Sequence, residues 1–207
     1  MELYPHSNYE WYVGVQQRLT GKKTRYGTKS LSFVDKPMAE NINNLIHSYV
    51  PEIKLMVCHG CRSGEEVHFF QELNPNAEVF GTDIYRKAYH YDRNYFLWMD
   101  FDHVPCDWLG RFDVVYSNCI DHSRNPLNTL LAWRSELKND GICFVDFYYT
   151  KDKIITKEDC FQLDPVNYLP EIHQIADDVN MDVLYISEPF SFVKNAYGVD
   201  VIFRKVA

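Results

Sequence analysis

Short apolar runs alternate with segments of helical spacing along most of the chain. The runs IKLMVC (53–58), EVFGT (78–82), YFLWM (95–99), DVVYS (113–117), ICFVDF (142–147), DVLYIS (182–187) and VDVIFRKV (199–206) have strand length and are rich in β-branched and aromatic residues. Glu65–Leu73, Pro126–Lys138 and Tyr168–Val179 read as helices between them, with Asn139-Asp140-Gly141 as the stop before the fifth strand. Upstream, Pro37 suits a first turn, and Ile42, Leu45, Ile46 and Tyr49 fall on one helical face. Strands that alternate with helices in this way predict an α/β chain: one doubly wound, mostly parallel sheet with helices on both faces. The linker EPFSFVKNAYG has no helical pattern, so the last two strands are expected to form an antiparallel pair. Residues 1–36 lack assignable periodicity and read as an N-terminal arm or lid; residues 37–207 read as the domain proper.

Composition narrows the class. With 207 residues, 46% hydrophobic and 24% charged, the chain has enough apolar material for one domain with a sizeable core. A net charge of −8 argues against broad binding to phosphate backbones, so nucleic acid is not the expected partner. No run approaches the ~20 apolar residues of a membrane span, and the start MELYPHSNYEWY lacks a secretory pattern. The expected compartment is therefore the cytoplasm. Six cysteines, mostly within apolar runs, read as reduced core residues.

In an open α/β sheet, ligands bind beyond the carboxyl ends of the strands, so the residues just after each run carry the chemistry. After the first run comes His59-Gly60-Cys61-Arg62-Ser63-Gly64, a turn with two glycines. Asp83 and Ile84 follow the second, Asp100 and Phe101 the third, and Asn118, Asp121 and His122 the fourth. This order resembles that of the class I S-adenosylmethionine-dependent methyltransferases, and FDVVYSNCIDHSRNPLNTLLAWRSELKNDGICFVDF is especially similar to their fourth strand, helix and fifth strand. The resemblance covers roughly residues 37–207. It implies a Rossmann-like fold, S-adenosyl-L-methionine as cofactor, and in-line methyl transfer to an acceptor that the sequence does not identify, a small molecule being favoured.

The resemblance also implies roles. Gly60 and Gly64 would let the backbone approach the cofactor, beside His59. Asp83 would accept the ribose hydroxyls. Asp100 and the backbone of Phe101 would meet the adenine edge, with Ile84 over its face, and Asn118 would line the strand-four loop. Cys58 stands where the family has an acid, and Arg62 where it has a glycine. Two readings of Arg62 stay open: a partner for the methionine carboxylate, or an ion pair with Glu65 or Glu66. His122 is the candidate base, with Asp121 orienting it, or both cap the loop.

Competing readings have less support. A nicotinamide-dinucleotide site wants G-x-G-x-x-G, of which only the first glycine is in register. Cys58-x-x-Cys61 lacks a second ligand pair, so no metal is expected. The basic stretch with Arg18, Lys22, Lys23, Arg25 and Lys29 reads as a solvated loop, with a patch for an anionic substrate or nucleic acid as the less supported reading. Tyr85, Tyr89, Tyr91, Tyr95, Phe96 and Trp98 form an aromatic run, and 151–167 is either a substrate cap or an insertion. A non-catalytic relative that keeps the fold as a binding module remains the main alternative to an enzyme.

Overall fold

The computed structural model describes residues 2–5, 8–25, 34–85, 95–193 and 195–206, with 19–25, 192 and 193 described by backbone alone. Lys22, Lys23 and Arg25 are among the backbone-only positions, whereas Lys29, Tyr89 and Tyr91 lie outside the described residues altogether. Five helices and eight strands follow in chain order among the described residues: α1 (Tyr9–Arg25), α2 (Lys36–His47), β1 (Leu55–His59), α3 (Glu65–Leu73), β2 (Glu78–Asp83), β3 (Phe96–Trp98), β4 (Phe112–Ser117), α4 (Pro126–Glu136), β5 (Leu137–Thr150), α5 (Tyr168–Asp178), β6 (Met181–Ile186), β7 (Phe190–Val193) and β8 (Ala196–Lys205). They build one sheet in the order β3-β2-β1-β4-β5-β8-β6, with β7 also pairing β8. The first five strands of that order run parallel, and β8 is antiparallel to β5, β6 and β7. The doubly wound sheet and its antiparallel tail are as expected, with β7 added by the linker that had no helical pattern.

Both faces of the sheet are buried, which is why β1, β4 and β5 read as almost continuous apolar runs. Val57, Val115, Cys143, Val145 and Phe203 point to the α4 and α5 side, where Leu130, Trp133, Ile172 and Ile175 meet them. Met56, Cys58, Val114, Tyr116, Phe144 and Ile202 point to the α2 and α3 side, against Ile42, Ile46 and Phe70. The helix starts follow local chemistry. Asp35 accepts from the Met38 N–H at 2.9 Å before Pro37, and Asn125 accepts from the Asn128 N–H at 3.3 Å before Pro126. Among the described residues no helix is long and apolar enough to cross a membrane.

Two local expectations are corrected. Asn139-Asp140-Gly141 does not end the helix, because α4 stops at Glu136 and β5 has already begun. These residues form a bulge: the pairing steps from Phe112↔Leu137 to Val114↔Ile142, and Asp140 takes φ +63°. A Cβ on Gly141 would lie 3.0 Å from the Lys138 carbonyl oxygen and 3.1 Å from that of Phe112. The second correction is that Tyr9–Arg25, 17 residues of the arm, form the helix α1, so the basic positions Arg18, Lys22, Lys23 and Arg25 stand on a helix and not on a loop. Tyr12, Val15 and Gln16 form its buried face, and the polar Gln16 hides the helical period.

Candidate functional site

The parallel register sets a row of residues along the carboxyl edge of the sheet. His59 pairs with Thr82 and with Ser117, Ser117 pairs with Val145, and Asp146 pairs with Asp200. One residue further on, Gly60, Asp83, Asn118, Asp146 and Asp200 therefore stand side by side where the crevice begins.

The turn after β1 is held open by backbone conformation. Gly60, Arg62 and Gly64 have φ of +70°, +44° and +84°, the left-handed region that favours glycine. Gly60 is also sterically required, because a Cβ there would lie 2.0 Å from Cys119 Sγ. Arg62 tolerates the strained position because its N–H is fixed, donating to Asp83 Oδ2 at 2.8 Å. The Tyr85 N–H donates to Asp83 Oδ1 at 2.7 Å, so the acid after β2 ties the two turns together. Burial pushes the Asp83 carboxyl above its ordinary range, while these N–H groups and the Arg62 charge pull it back. Each oxygen keeps a lone pair for a ligand hydroxyl.

The other candidates divide. Asn118 stands half-buried at the end of β4, and Ile84 is half-buried with its carbonyl accepting from Trp98 Nε1 at 2.8 Å and Gln17 Nε2 at 3.3 Å. Asp100 Oδ2 accepts from the Tyr9 hydroxyl of α1 at 2.5 Å, so the carboxylate expected at the adenine edge already holds a phenol. Phe101 turns its ring into the core against Trp133, and its carbonyl accepts from Trp133 Nε1 at 3.0 Å. His59 corrects the expectation most plainly: it is a core residue, 1% exposed, stacked on Trp133. Its Nδ1 is hydrogen-bonded to Thr82 Oγ1 and its Nε2 to Glu136 Oε2, both at 2.8 Å, which leaves neither ring nitrogen for a ligand.

Cys58 and Cys61 are buried, and burial pushes both thiols well up; all six cysteines are free thiols. The Cys61 thiol donates to the Thr82 carbonyl at 3.4 Å. Arg62 faces acids on its own side, since its charge lowers both Glu66 and Asp83. Glu65 accepts from the Ser63 hydroxyl instead.

His122 is oriented by a segment that has no regular structure. Its Nδ1 lies 2.9 Å from the Glu158 carbonyl oxygen and 3.4 Å from Asp159 Oδ1. A carbonyl can only accept, so Nδ1 carries a proton, and in the neutral ring the lone pair is on Nε2. The orienting groups thus come from 151–167 rather than from Asp121, whose half-buried carboxyl is raised by burial and by Asp159. Ligand atoms of Asp121, His122 and Asp159 lie within 4.8 Å of one another, a spacing open to a metal ion. The segment 151–167 packs against the strand-four loop and the N-terminal residues: the Phe161 N–H donates to the Asp121 carbonyl at 3.0 Å, Gln16 Nε2 donates to the Glu158 carbonyl at 2.9 Å, and Leu3 bridges Phe161.

Spacing in sequence gave no sign of Tyr9, Glu158, Asp159 or the Asp146 and Asp200 pair. The last two did leave a trace, as lone acids inside the apolar runs ICFVDF and VDVIF.

No protein-family model matches the chain, and no curated protein matches it in sequence. Solved structures do match in shape. A Burkholderia thailandensis 1,6-didemethyltoxoflavin-N1-methyltransferase, solved with 1,6-didemethyltoxoflavin and S-adenosylhomocysteine, is similar with a TM-score of 0.74 at 12% identity, over 99% of this chain and 93% of that one. The Streptomyces coelicolor A3(2) geranyl diphosphate C-methyltransferase has a TM-score of 0.69 at 10% identity, over 98% and 100%. The cyclase SpnF has a TM-score of 0.70 at 12% identity, over the whole of both chains. The chain therefore has the Rossmann-like fold of the class I methyltransferases.

Proposed function

We propose that the chain is an S-adenosylmethionine-dependent methyltransferase of the cytosol, acting on a small-molecule acceptor. The observation that carries this reading is Asp83: a buried carboxyl fixed by two backbone N–H groups, beside the left-handed turn that Gly60 makes possible. A dinucleotide would bring a pyrophosphate to this turn, where the buried acids Glu65 and Asp83 would disfavour it. A cofactor without phosphate fits this set of residues better.

Bound there, S-adenosylmethionine would supply an electrophilic methyl group. Asp83 would hold the ribose hydroxyls, Gly60 and Gly64 would admit the backbone contact, and Ile84 with Asn118 would flank the cofactor. Asp100 would serve the adenine amino group once Tyr9 releases it. The protein contributes chiefly alignment of donor and acceptor. His122 Nε2, held by the Glu158 carbonyl and Asp159, would accept the acceptor's proton as the methyl moves.

A second reading, a binding module that keeps the fold without transfer, draws on Tyr9 at Asp100 and on Cys58 where the resembling family has an acid. SpnF, a cyclase of the same fold, shows that the architecture does not decide the chemistry. Transfer of labelled methyl from S-adenosylmethionine to a panel of acceptors separates the two. His122→Ala should lower turnover by about 10²–10⁴-fold while leaving affinity for S-adenosylhomocysteine nearly intact. Full turnover in that variant would remove His122 from the mechanism.

A further inference from the structure

Two acids face each other across the antiparallel pair β5 and β8. Asp146 and Asp200 are directly opposite in register, so their side chains leave the same face of the sheet with Cβ atoms about 4.5–5.5 Å apart. Like charges in that position oppose pairing. The neighbours on this face are Tyr116, Phe144 and Ile202. One oxygen of each carboxyl, Oδ1, is buried without a hydrogen-bond partner. Independently, the Tyr116 hydroxyl has no partner either, although the residue is only 1% exposed. Its strongest electrostatic neighbour is Asp146, followed by Glu66, Cys58 and Asp200. The charged groups bearing on Asp146 are Asp200 and Asp121, both acids. Among the described residues this part of the structure thus gathers acceptors and supplies no cation to them.

The place is as telling as the composition. Asp146 is level with Asn118, one residue beyond the end of β4, whereas β5 and β8 continue to Thr150 and Ala196. The pair therefore stands in the wall that β5 and β8 raise beside the crevice, on the opposite side of β4 from Asp83. A ligand reaching it would lie next to the groups assigned above to the cofactor.

We propose that Asp146, Asp200 and the Tyr116 hydroxyl form a subsite for a cationic amine carried by the methyl acceptor. An ammonium has three N–H donors, matching three unpartnered oxygens, and its charge offsets the repulsion between the carboxyls. A divalent metal fits less well, because it asks for six or more oxygen ligands and the surroundings are apolar. That the amine is carried by a methyl acceptor rests on the proposed methyl transfer; binding of the cation does not.

The test uses the full chain with 13C-labelled aspartate carboxyls. It is titrated with methylammonium and, separately, with methanol and magnesium ions, before and after addition of S-adenosylhomocysteine. Methylammonium should shift the Asp146 and Asp200 carboxyl signals and saturate at least about tenfold more tightly than methanol, as expected for charge-assisted hydrogen bonds. Asp146→Asn with Asp200→Asn should abolish that preference and leave S-adenosylhomocysteine binding in place. Equal responses to amine and alcohol, carboxyl signals that stay still, or saturation by magnesium instead would overturn the subsite. The wild-type signals decide this even if the double variant fails to fold. Failure of S-adenosylhomocysteine to bind, with the amine response intact, would overturn methyl transfer and leave the cation site standing.

Discussion

Glu66 provides a sharp test of the electrostatics beside the turn. It sits in the first turn of α3, 5% exposed, and burial pushes its carboxyl up to about 8. Its own backbone N–H and Arg62 pull it down, while Glu65 and Asp83 push it further up. The helix N-terminus favours a carboxylate by only about 0.3–1 kcal/mol, so burial wins. The sign follows from proton binding. The unfolded chain releases the Glu66 proton near pH 4.3, whereas the native state holds it to about 8. Between those values the native state binds more protons, and stability falls as pH rises. At about 1.4 kcal/mol per pH unit, this removes on the order of 4 kcal/mol between pH 5 and 8. Glu66→Gln mimics the protonated side chain and lacks this loss. Urea unfolding of both proteins across pH 5–9 should give matching stabilities at pH 5 and a variant more stable by about that amount at pH 8. Other raised acids, including Asp102 at about 6, titrate in both chains and cancel in the difference. A gap that stays constant from pH 5 to 8 would refute the reasoning. A variant less stable by the same amount throughout that range would mean that Glu66 is ionised and paired with Arg62.

Two further expectations concern the turn and helix α1. Gly60→Ala should destabilise the fold by about 2–4 kcal/mol through its left-handed φ and the clash with Cys119 Sγ. Adding Cys119→Ala should recover part of that loss in denaturant unfolding, and no recovery would rule out the close approach as its cause. Tyr9→Phe frees Asp100 and should tighten S-adenosylhomocysteine by about three- to tenfold in calorimetry. Weaker binding in that variant would make Tyr9 a contributor to the site rather than a competitor.

Much of the crevice was legible because strand periods can be read locally and parallel strands bring their carboxyl ends to one side. Gly60, Asp83, Asp100 and Asn118 were placed at the carboxyl ends of their strands this way, where the register has them. His59 misled because the end of a strand says nothing about which side chain points inward, and Thr82, Glu136 and Trp133 hold this one in the core. The pairing of Asp146 with Asp200 depends on a register between distant segments, which no local pattern encodes. Helix α1 was hidden for another reason. Its buried face includes Gln16, whose amide is satisfied by the Glu158 carbonyl, so tertiary contact replaces the apolar period.

The claim on which the rest depends is that this crevice binds an S-adenosyl cofactor through Asp83. Calorimetric titration of the intact chain with S-adenosylhomocysteine, beside Asp83→Ala, tests it directly. Saturable binding to the wild type is expected, weakened in the variant by about 1.5–3 kcal/mol, the usual range for a lost charged hydrogen bond. No binding heat with the wild type, or equal affinity in the two proteins, would contradict it.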